Sequence, residues 1–340
     1  MEKRYRIEYF DIAKGICIFL VLAHHISESY MPDRYPFRTE FMCFRMPLYF
    51  FLSGVFFKPY EGFLGFIRRK TNKLLVPFCF FYLTLAVALP YVYGRVTGAE
   101  MFLGYPTKDA DFFLTAFWKY EAFQNGAIWF LLCLFEVNVL FYMLYVIANR
   151  SGKSDWVLLC EVAGCGLIGM LLSIFNFNLY GFLDTMFTVI PFYYMGYIIY
   201  RKTSLFTLPN KHMANLIIIL LLWTFIILFA TPVDYRINQF SGLSPLTAYP
   251  CGLAGIMMII FLSKEIGHSP LLAYCGRYSI IILCTHIITF SLIVDGLVTV
   301  PILLICKWAI CLVATILISI LLIPPIKSLL PYVTAQKDLF

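Results

Sequence analysis

Apolar residues run along this chain in blocks of about twenty, separated by short polar stretches that carry most of the charge. A membrane-spanning helix needs roughly 20 mostly apolar residues, because lipid offers no partner to backbone N–H and C=O groups. Ten blocks fit: 10–28, 41–57, 74–93, 127–148, 156–175, 186–200, 215–231, 249–263, 279–296 and 301–323. The pattern predicts an all-α, polytopic integral membrane protein of about ten transmembrane helices. It forms a single domain over 1–340, with no separate soluble domain, internal repeat or low-complexity tract. Lys3, Arg4 and Arg6 ahead of an apolar run mimic a signal peptide, but Glu2, Glu8 and Asp11 spoil the basic flank, so the first block is read as a retained helix.

Charge fixes the orientation. The chain is 61% hydrophobic and only 13% charged, against about 25% charged in a soluble domain. The net charge of +7 does not mark a nucleic-acid face, because the cations lie in short loops between apolar blocks. With the N-terminus in the cytoplasm, 17 of the 26 Lys and Arg fall in cytoplasmic tails and loops and six fall outside. That bias favours ten spans with both termini cytoplasmic. The one long outer segment, 94–126, is rich in aromatics and fits an interfacial layer or a cap over a cavity. The eleven cysteines include no CxxC pair and mostly sit in apolar blocks, so neither a disulfide framework nor a zinc site is expected.

An ionisable group near the bilayer centre costs at least about 2.5–3.5 kcal/mol, so each one is a functional hypothesis. The first block carries Asp11, Lys14, His24 and His25. At 100° per residue, Asp11, Lys14 and His25 share one helical face, while His24 turns about 100° away from His25. Lys14 and His25 stand about 16 Å apart along the axis. One polar stripe therefore runs from the cytoplasmic edge past the membrane middle, which suits a long ligand with its reactive end near His25. Histidine is the side chain that exchanges a proton near neutral pH. Asp11 and Lys14 equally fit an interfacial pair, and the histidines fit packing between helices.

The second block holds Arg45, Pro47, Ser53 and Gly54. Arg45 needs a partner, a cavity or the interface. Glu136 follows Trp129-Phe130-Leu131 in the fourth block, and His286 follows Gly276-Arg277-Tyr278-Ser279 in the ninth. The basic loop 58–73 suits either lipid headgroups or the phosphates of a nucleotide cofactor. No phosphate-binding glycine loop, dinucleotide fingerprint, G-x-S-x-G or H-E-x-x-H is present, which argues against an ATP-driven pump, a dinucleotide enzyme and a membrane metalloprotease.

Tyr9-Phe10-Asp11-Ile12-Ala13-Lys14-Gly15, then His24-His25, then Phe44-Arg45-Met46-Pro47 through Leu52-Ser53-Gly54 resembles the membrane acyltransferase-3 family, with its fucose 4-O-acetylase-like branch most similar. Leu74 to Phe78, Trp129-Phe130-Leu131 and Gly276 to Ser279 followed by His286 extend the resemblance. It implies acyl-CoA, usually acetyl-CoA, as donor on the cytoplasmic side, no metal, and a glycan or lipid-linked sugar as acceptor. It also implies a cell inner (cytoplasmic) membrane location, with membrane lipids and other polysaccharide-assembly proteins as partners.

The family's basic-then-ten-then-His motif falls on Lys14 and His25, and its basic pair in the first cytoplasmic loop falls on Lys70 and Lys73. Many members have Arg at the first of these positions, and many relatives carry His where Arg45 stands. The expected roles follow. His25 is the general base or acyl carrier, and Asp11 steadies Lys14. Lys14, Arg69, Lys70 and Lys73 hold the cofactor. Arg45, Ser53, Trp129, Glu136 and His286 lie on the acceptor side. A transporter or flippase of lipid-linked sugars is the alternative, and it calls for repeat symmetry with broken helices in both halves.

Overall fold

The apolar blocks fold as helices, and among the described residues strand is confined to one two-residue ladder. The first elements are α1 (Glu8–Tyr30), α2 (Arg38–Val55), α3 (Gly62–Lys70) and α4 (Val76–Phe81). Then come α5 (Trp129–Arg150), α6 (Ser154–Ile174), α7 (Leu183–Lys202) and α8 (His212–Phe229). The hairpin β1 (Val233–Asp234) and β2 (Gln239–Phe240) precedes α9 (Ser244–Ile266), α10 (Pro270–Arg277), α11 (Ser279–Leu297) and α12 (Leu304–Leu329). The computed structural model describes residues 7–30, 38–60, 62–89, 91, 92, 96, 126–150, 154–206, 210–297 and 300–340. The aromatic segment 94–126 lies almost wholly outside the described residues, as do Lys3, Arg4 and Arg6.

Six helices are long and apolar enough to cross a membrane: Glu8–Glu28, Gly126–Arg150, Asp155–Ile174, His212–Phe229, Ser244–Ile266 and Leu304–Leu329. The pair Pro270–Arg277 and Ser279–Val294, bent by 86°, makes a seventh if it counts as one span. The expected ten is not reached among the described residues, and the three shortfalls have physical causes. Block 41–57 becomes α2, which holds Arg38, Glu40 and Arg45. Block 74–93 is broken by π-helical turns at Thr71–Leu75 and Tyr82–Ala88, on either side of α4. Pro77 lacks the N–H that an α-helix would use there. The Thr84 hydroxyl donates to the Phe80 carbonyl at 2.7 Å and competes with the backbone ladder. Block 186–200 becomes α7, whose apolar character is diluted by Pro191 and four tyrosines.

α1 is the hub. It packs against α2, α9, α10, α11 and α12, and Phe10, Ile12, Ala13, Cys17, Ile18, Leu22 and Ile26 on it are buried. α8 and α12 instead turn Leu220, Leu221, Leu228, Leu317 and Leu321 outward, as lipid-facing helices do. Two helix pairs meet backbone to backbone. A Cβ added to Gly276 of α10 would run into the Asp11 carbonyl of α1, and one added to Gly15 into the Leu272 carbonyl. Gly54 of α2 and Gly196 of α7 stand in the same reciprocal relation, against the Tyr193 and Phe51 carbonyls. Small residues allow this approach where lipid gives no hydrophobic drive between helices.

The last residues return to the basic segment. Buried Asn72 accepts from the backbone N–H groups of Leu339 at 2.7 Å and Phe340 at 3.2 Å, and donates to the Arg68 carbonyl at 3.1 Å.

Gly276→Ala is expected to cost about 1–3 kcal/mol through overpacking, seen as a lower unfolding temperature in detergent. Gly164→Ala, whose added methyl would meet open space, is the control and should not lower it. A Gly276→Ala protein as stable as wild type would rule out the contact.

Candidate functional site

The bend between α10 and α11 shapes one end of the site. Ser269 caps α10 by accepting from the Leu272 N–H at 3.4 Å, and Pro270 opens its first turn. At the other end of α10, the 86° turn brings Arg277 and Ser279 to the wall of a cavity of about 390 Å³. Lys14 of α1, Tyr49 and Ser53 of α2, Lys70, Lys73 and Phe130 of α5 complete it. This is the lysine cavity. Lys14 is half-buried, with Nζ 5.3 Å from the centre of the Phe56 ring. The Tyr49 hydroxyl donates to the Lys14 carbonyl at 3.0 Å. Ser53 accepts from Asn138 Nδ2 at 3.4 Å, and Asn138 Oδ1 accepts from the Tyr193 hydroxyl at 2.8 Å. Asp11 lies beyond Lys14, where both line a neighbouring cavity with Lys58 and Arg201.

The basic segment divides. Lys70 Nζ lies 5.4 Å from the Phe66 ring centre. Burial, reinforced by the Arg69 charge, pushes its pKa down to about 8. Lys73 Nζ donates to the Ala335 carbonyl at 2.7 Å and pairs with Asp338 Oδ1 at 3.0 Å. The Lys73 hydrogen bond holds the Asp338 carboxyl below its usual range. Arg69 is exposed, lies over the Tyr60 ring at 4.9 Å, and does not line the cavity.

A second cavity, about 140 Å³, opens further along α1. His24, His25 and Glu28 of α1, Arg45 of α2, Trp129 of α5, and Asp234 and Arg236 of the hairpin line it. This is the histidine cavity, and Leu283 of α11 lines both cavities. The hairpin is tied down from several sides. Thr185 donates to the Tyr235 carbonyl at 2.8 Å, and the Tyr235 hydroxyl donates to the Cys43 carbonyl at 3.3 Å. Asn238 donates to the Gly169 carbonyl at 3.0 Å and accepts from Thr188 at 2.7 Å. Within the hairpin, Asp234 Oδ1 accepts from the Arg236 N–H at 2.9 Å, an Asx turn.

Glu28 organises the histidines. Its Oε1 lies 3.2 Å from His24 Nε2 and accepts from Arg38 at 3.0 Å, and its Oε2 lies 3.7 Å from His25 Nδ1. The helical wheel separates His24 from His25, yet both line the cavity, because Glu28 one turn on lies within reach of both rings. His24, His25 and Glu28 offer ligand atoms all within 4.8 Å of one another. The guanidinium of Arg38 on Glu28, and buried Arg45 beside the cluster, oppose a cation there and favour developing negative charge.

The structure thus brings Lys14, Lys70, Lys73 and Ser53 to one cavity and His25, Arg45 and Trp129 to the other. His286 is buried behind His25, with ring centres 5.4 Å apart. Glu136 lines neither cavity and packs where Gly181 approaches it. Sequence reasoning missed Glu28, Tyr49, Asp234, Arg236 and Arg277 as lining residues. The i+3 and i+4 spacing from the two histidines was the available signal for Glu28. Asp234 and Arg236 lie in a short loop between apolar blocks and gave none.

A family model described as an acyltransferase domain matches residues 7–323, which include every residue lining the two cavities. No curated protein and no solved structure matches the chain.

Proposed function

This chain belongs to the acyltransferase family whose domain spans residues 7–323, and from that premise we propose that it moves an acetyl group from acetyl-CoA to a hydroxyl of a sugar or surface-polysaccharide precursor. The observation that carries the proposal is the pair of cavities along α1 that share Leu283, one lined by lysines and one by histidines. A donor with several phosphates and a long arm suits the first, and a hydroxyl acceptor needing a base suits the second. The lysine cavity faces the cytoplasm in this reading, with both termini on that side of the cell membrane.

Lys70, Lys73 and Arg277 attract the donor phosphates, and Lys14 receives the arm that leads toward Leu283. Asp338 already occupies Lys73, so an incoming phosphate competes with a carboxylate for that cation. His25 takes the proton of the acceptor hydroxyl as its oxygen attacks the thioester carbonyl. The CoA sulfur leaves and the proton passes to it. Arg45 supplies positive charge for the carbonyl oxygen as it becomes anionic. An acetyl-imidazole on His25 is the two-step version of the same transfer. The transporter alternative gains no support: among the described residues one bent helix pair occurs, not a matched pair in both halves.

Release of free CoA from acetyl-CoA, with a pool of glycan acceptors, tests the reading on detergent-purified protein. His25→Ala is expected to lower kcat by about 10²–10⁴-fold, while His24→Ala keeps most of it and both variants elute like wild type on size exclusion. Turnover of His25→Ala within tenfold of wild type would remove the base from the scheme.

Lys70 gives a pH test. Its ammonium form is present below a pH of about 8 and is lost as the pH rises through that value. Acetyl-CoA affinity measured by calorimetry should therefore weaken above pH about 8, and Lys70→Arg should abolish that weakening. The same pH dependence in Lys70→Arg would exclude Lys70 as its source.

A further inference from the structure

α11 carries a histidine whose hydrogen position is dictated by its surroundings. His286 is fully buried. Its Nδ1 lies 2.9 Å from the Ile282 carbonyl oxygen and 3.0 Å from that of Leu283. A carbonyl oxygen only accepts, so Nδ1 holds the hydrogen. In the neutral ring Nε2 is then a bare acceptor. That atom is buried and has no hydrogen-bond partner. A buried acceptor left open is costly, and such an atom in a native structure calls for an explanation.

The neighbouring titratable ring is His25, 5.4 Å away centre to centre and tilted by 39°. His25 Nδ1 faces Glu28 at 3.7 Å. The Nδ1–Glu28 spacing is longer than a hydrogen bond, as catalytic contacts often are before substrate draws them together. We propose that His286 is a positioning residue for acyl transfer, whose Nε2 accepts a hydrogen bond from Nε2–H of His25 and leaves His25 Nδ1 bare as the base. The proposal rests on the acyltransferase reading for its purpose, but its geometry stands without it.

The sequence of bonds follows. The acceptor O–H breaks and Nδ1–H of His25 forms. The acceptor oxygen bonds to the thioester carbon, and the carbon–sulfur bond breaks. The thiolate then takes the proton from Nδ1 and leaves as the thiol. Between those steps the His25 imidazolium lies between the Glu28 carboxylate on one side and His286 Nε2 on the other. A third group that fixes the tautomer of a base is the arrangement by which a carboxylate serves the histidine of a serine hydrolase. Here a neutral imidazole with a fixed proton takes that place.

Two variants separate this role from plain packing. His286→Gln can keep an acceptor near the position of Nε2, and His286→Leu fills the space without one. His286→Leu is expected to lose about 10–100-fold in kcat with KM for acetyl-CoA unchanged, and His286→Gln to recover most of that loss. Equal losses in both variants, or none in His286→Leu, would overturn the proposal. Nitrogen NMR of protein with ¹⁵N-histidine reads the tautomer without any substrate, the His25 signals being those missing from His25→Ala. The expected result is Nε2–H for His25 in wild type and in His286→Gln, and its loss in His286→Leu. Nδ1–H for His25 in wild type overturns the proposal whatever the activity. Absence of turnover in wild type, with the Nε2–H tautomer present, would count against acyl transfer and not against the contact.

Discussion

The contact between α1 and α10 at Gly15 and Gly276 sets the register of everything around it. Two helices whose backbones touch have no freedom to slide, because the next side chain along either one would clash. α10 is thereby held against the first turns of α1, and its end is fixed at the level of Asp11. The 86° bend that follows must start there. Arg277 and Ser279 consequently enter the lysine cavity, and α11 runs beside α1 so that Leu283 and then His286 lie against it. The second reciprocal pair, Gly54 and Gly196, does the same for α2 and α7. That contact fixes the height of Ser53 and, two to three turns away on the same helix, of Arg45. The site is therefore a consequence of two backbone contacts more than of any polar interaction.

Electrostatics then divides the space those contacts leave. Four cations (Lys14, Lys70, Lys73 and Arg277) gather at one cavity, and Asp338 neutralises one of them. At the other cavity, Glu28 accepts from the Arg38 guanidinium, and Arg45 is buried beside His24 and His25. A buried cation is tolerated where it faces a cavity or a partner. Positive charge therefore meets α1 at two levels: Lys14 with Lys70, Lys73 and Arg277 at one cavity, and Arg45 with Arg236 at the other. The tail contact adds a condition. Asn72 and Lys73 hold residues 335–340 through backbone groups as well as through Asp338, so displacing the carboxylate need not release the segment.

The sequence was most legible where one helix carried the information. Asp11, Lys14 and His25 lie within α1, and helical periodicity placed Lys14 and His25 at two levels of one path. In the structure Lys14 lines one cavity along α1, and His25 lines the other together with His24. The membrane count was less legible. Hydropathy alone cannot see that Pro77 and Thr84 accompany π-turns at 71–75 and 82–88, nor that Tyr193, Tyr194 and Tyr197 of α7 are buried, with Tyr193 hydrogen-bonded to Asn138. The 86° bend was equally hidden, since it falls at Tyr278, ahead of the apolar run 279–296. Residues brought in from elsewhere, such as Asp234 and Arg236, were invisible because their positions depend on Thr185, Thr188 and Gly169. Arg69 illustrates the reverse case: a basic residue within the motif region that turns outward onto Tyr60.

Leu283 is where these lines meet. For the proposed transfer, one open tunnel would expose acyl-CoA to water from both sides of the membrane and let ions leak across, and fully separate cavities would keep the donor thioester from the acceptor. An apolar side chain shared by both walls, as Leu283 is, fits both requirements of that proposal. The residues on either side of it in α11 fit this division. Ser279 and Ile280, a turn before, belong to the lysine cavity, and His286, a turn after, stands behind His25. A single helix therefore carries the residue shared by both cavities and groups on either side of it. Its position is set by the glycine contact one helix earlier, so packing and chemistry in this protein share one origin.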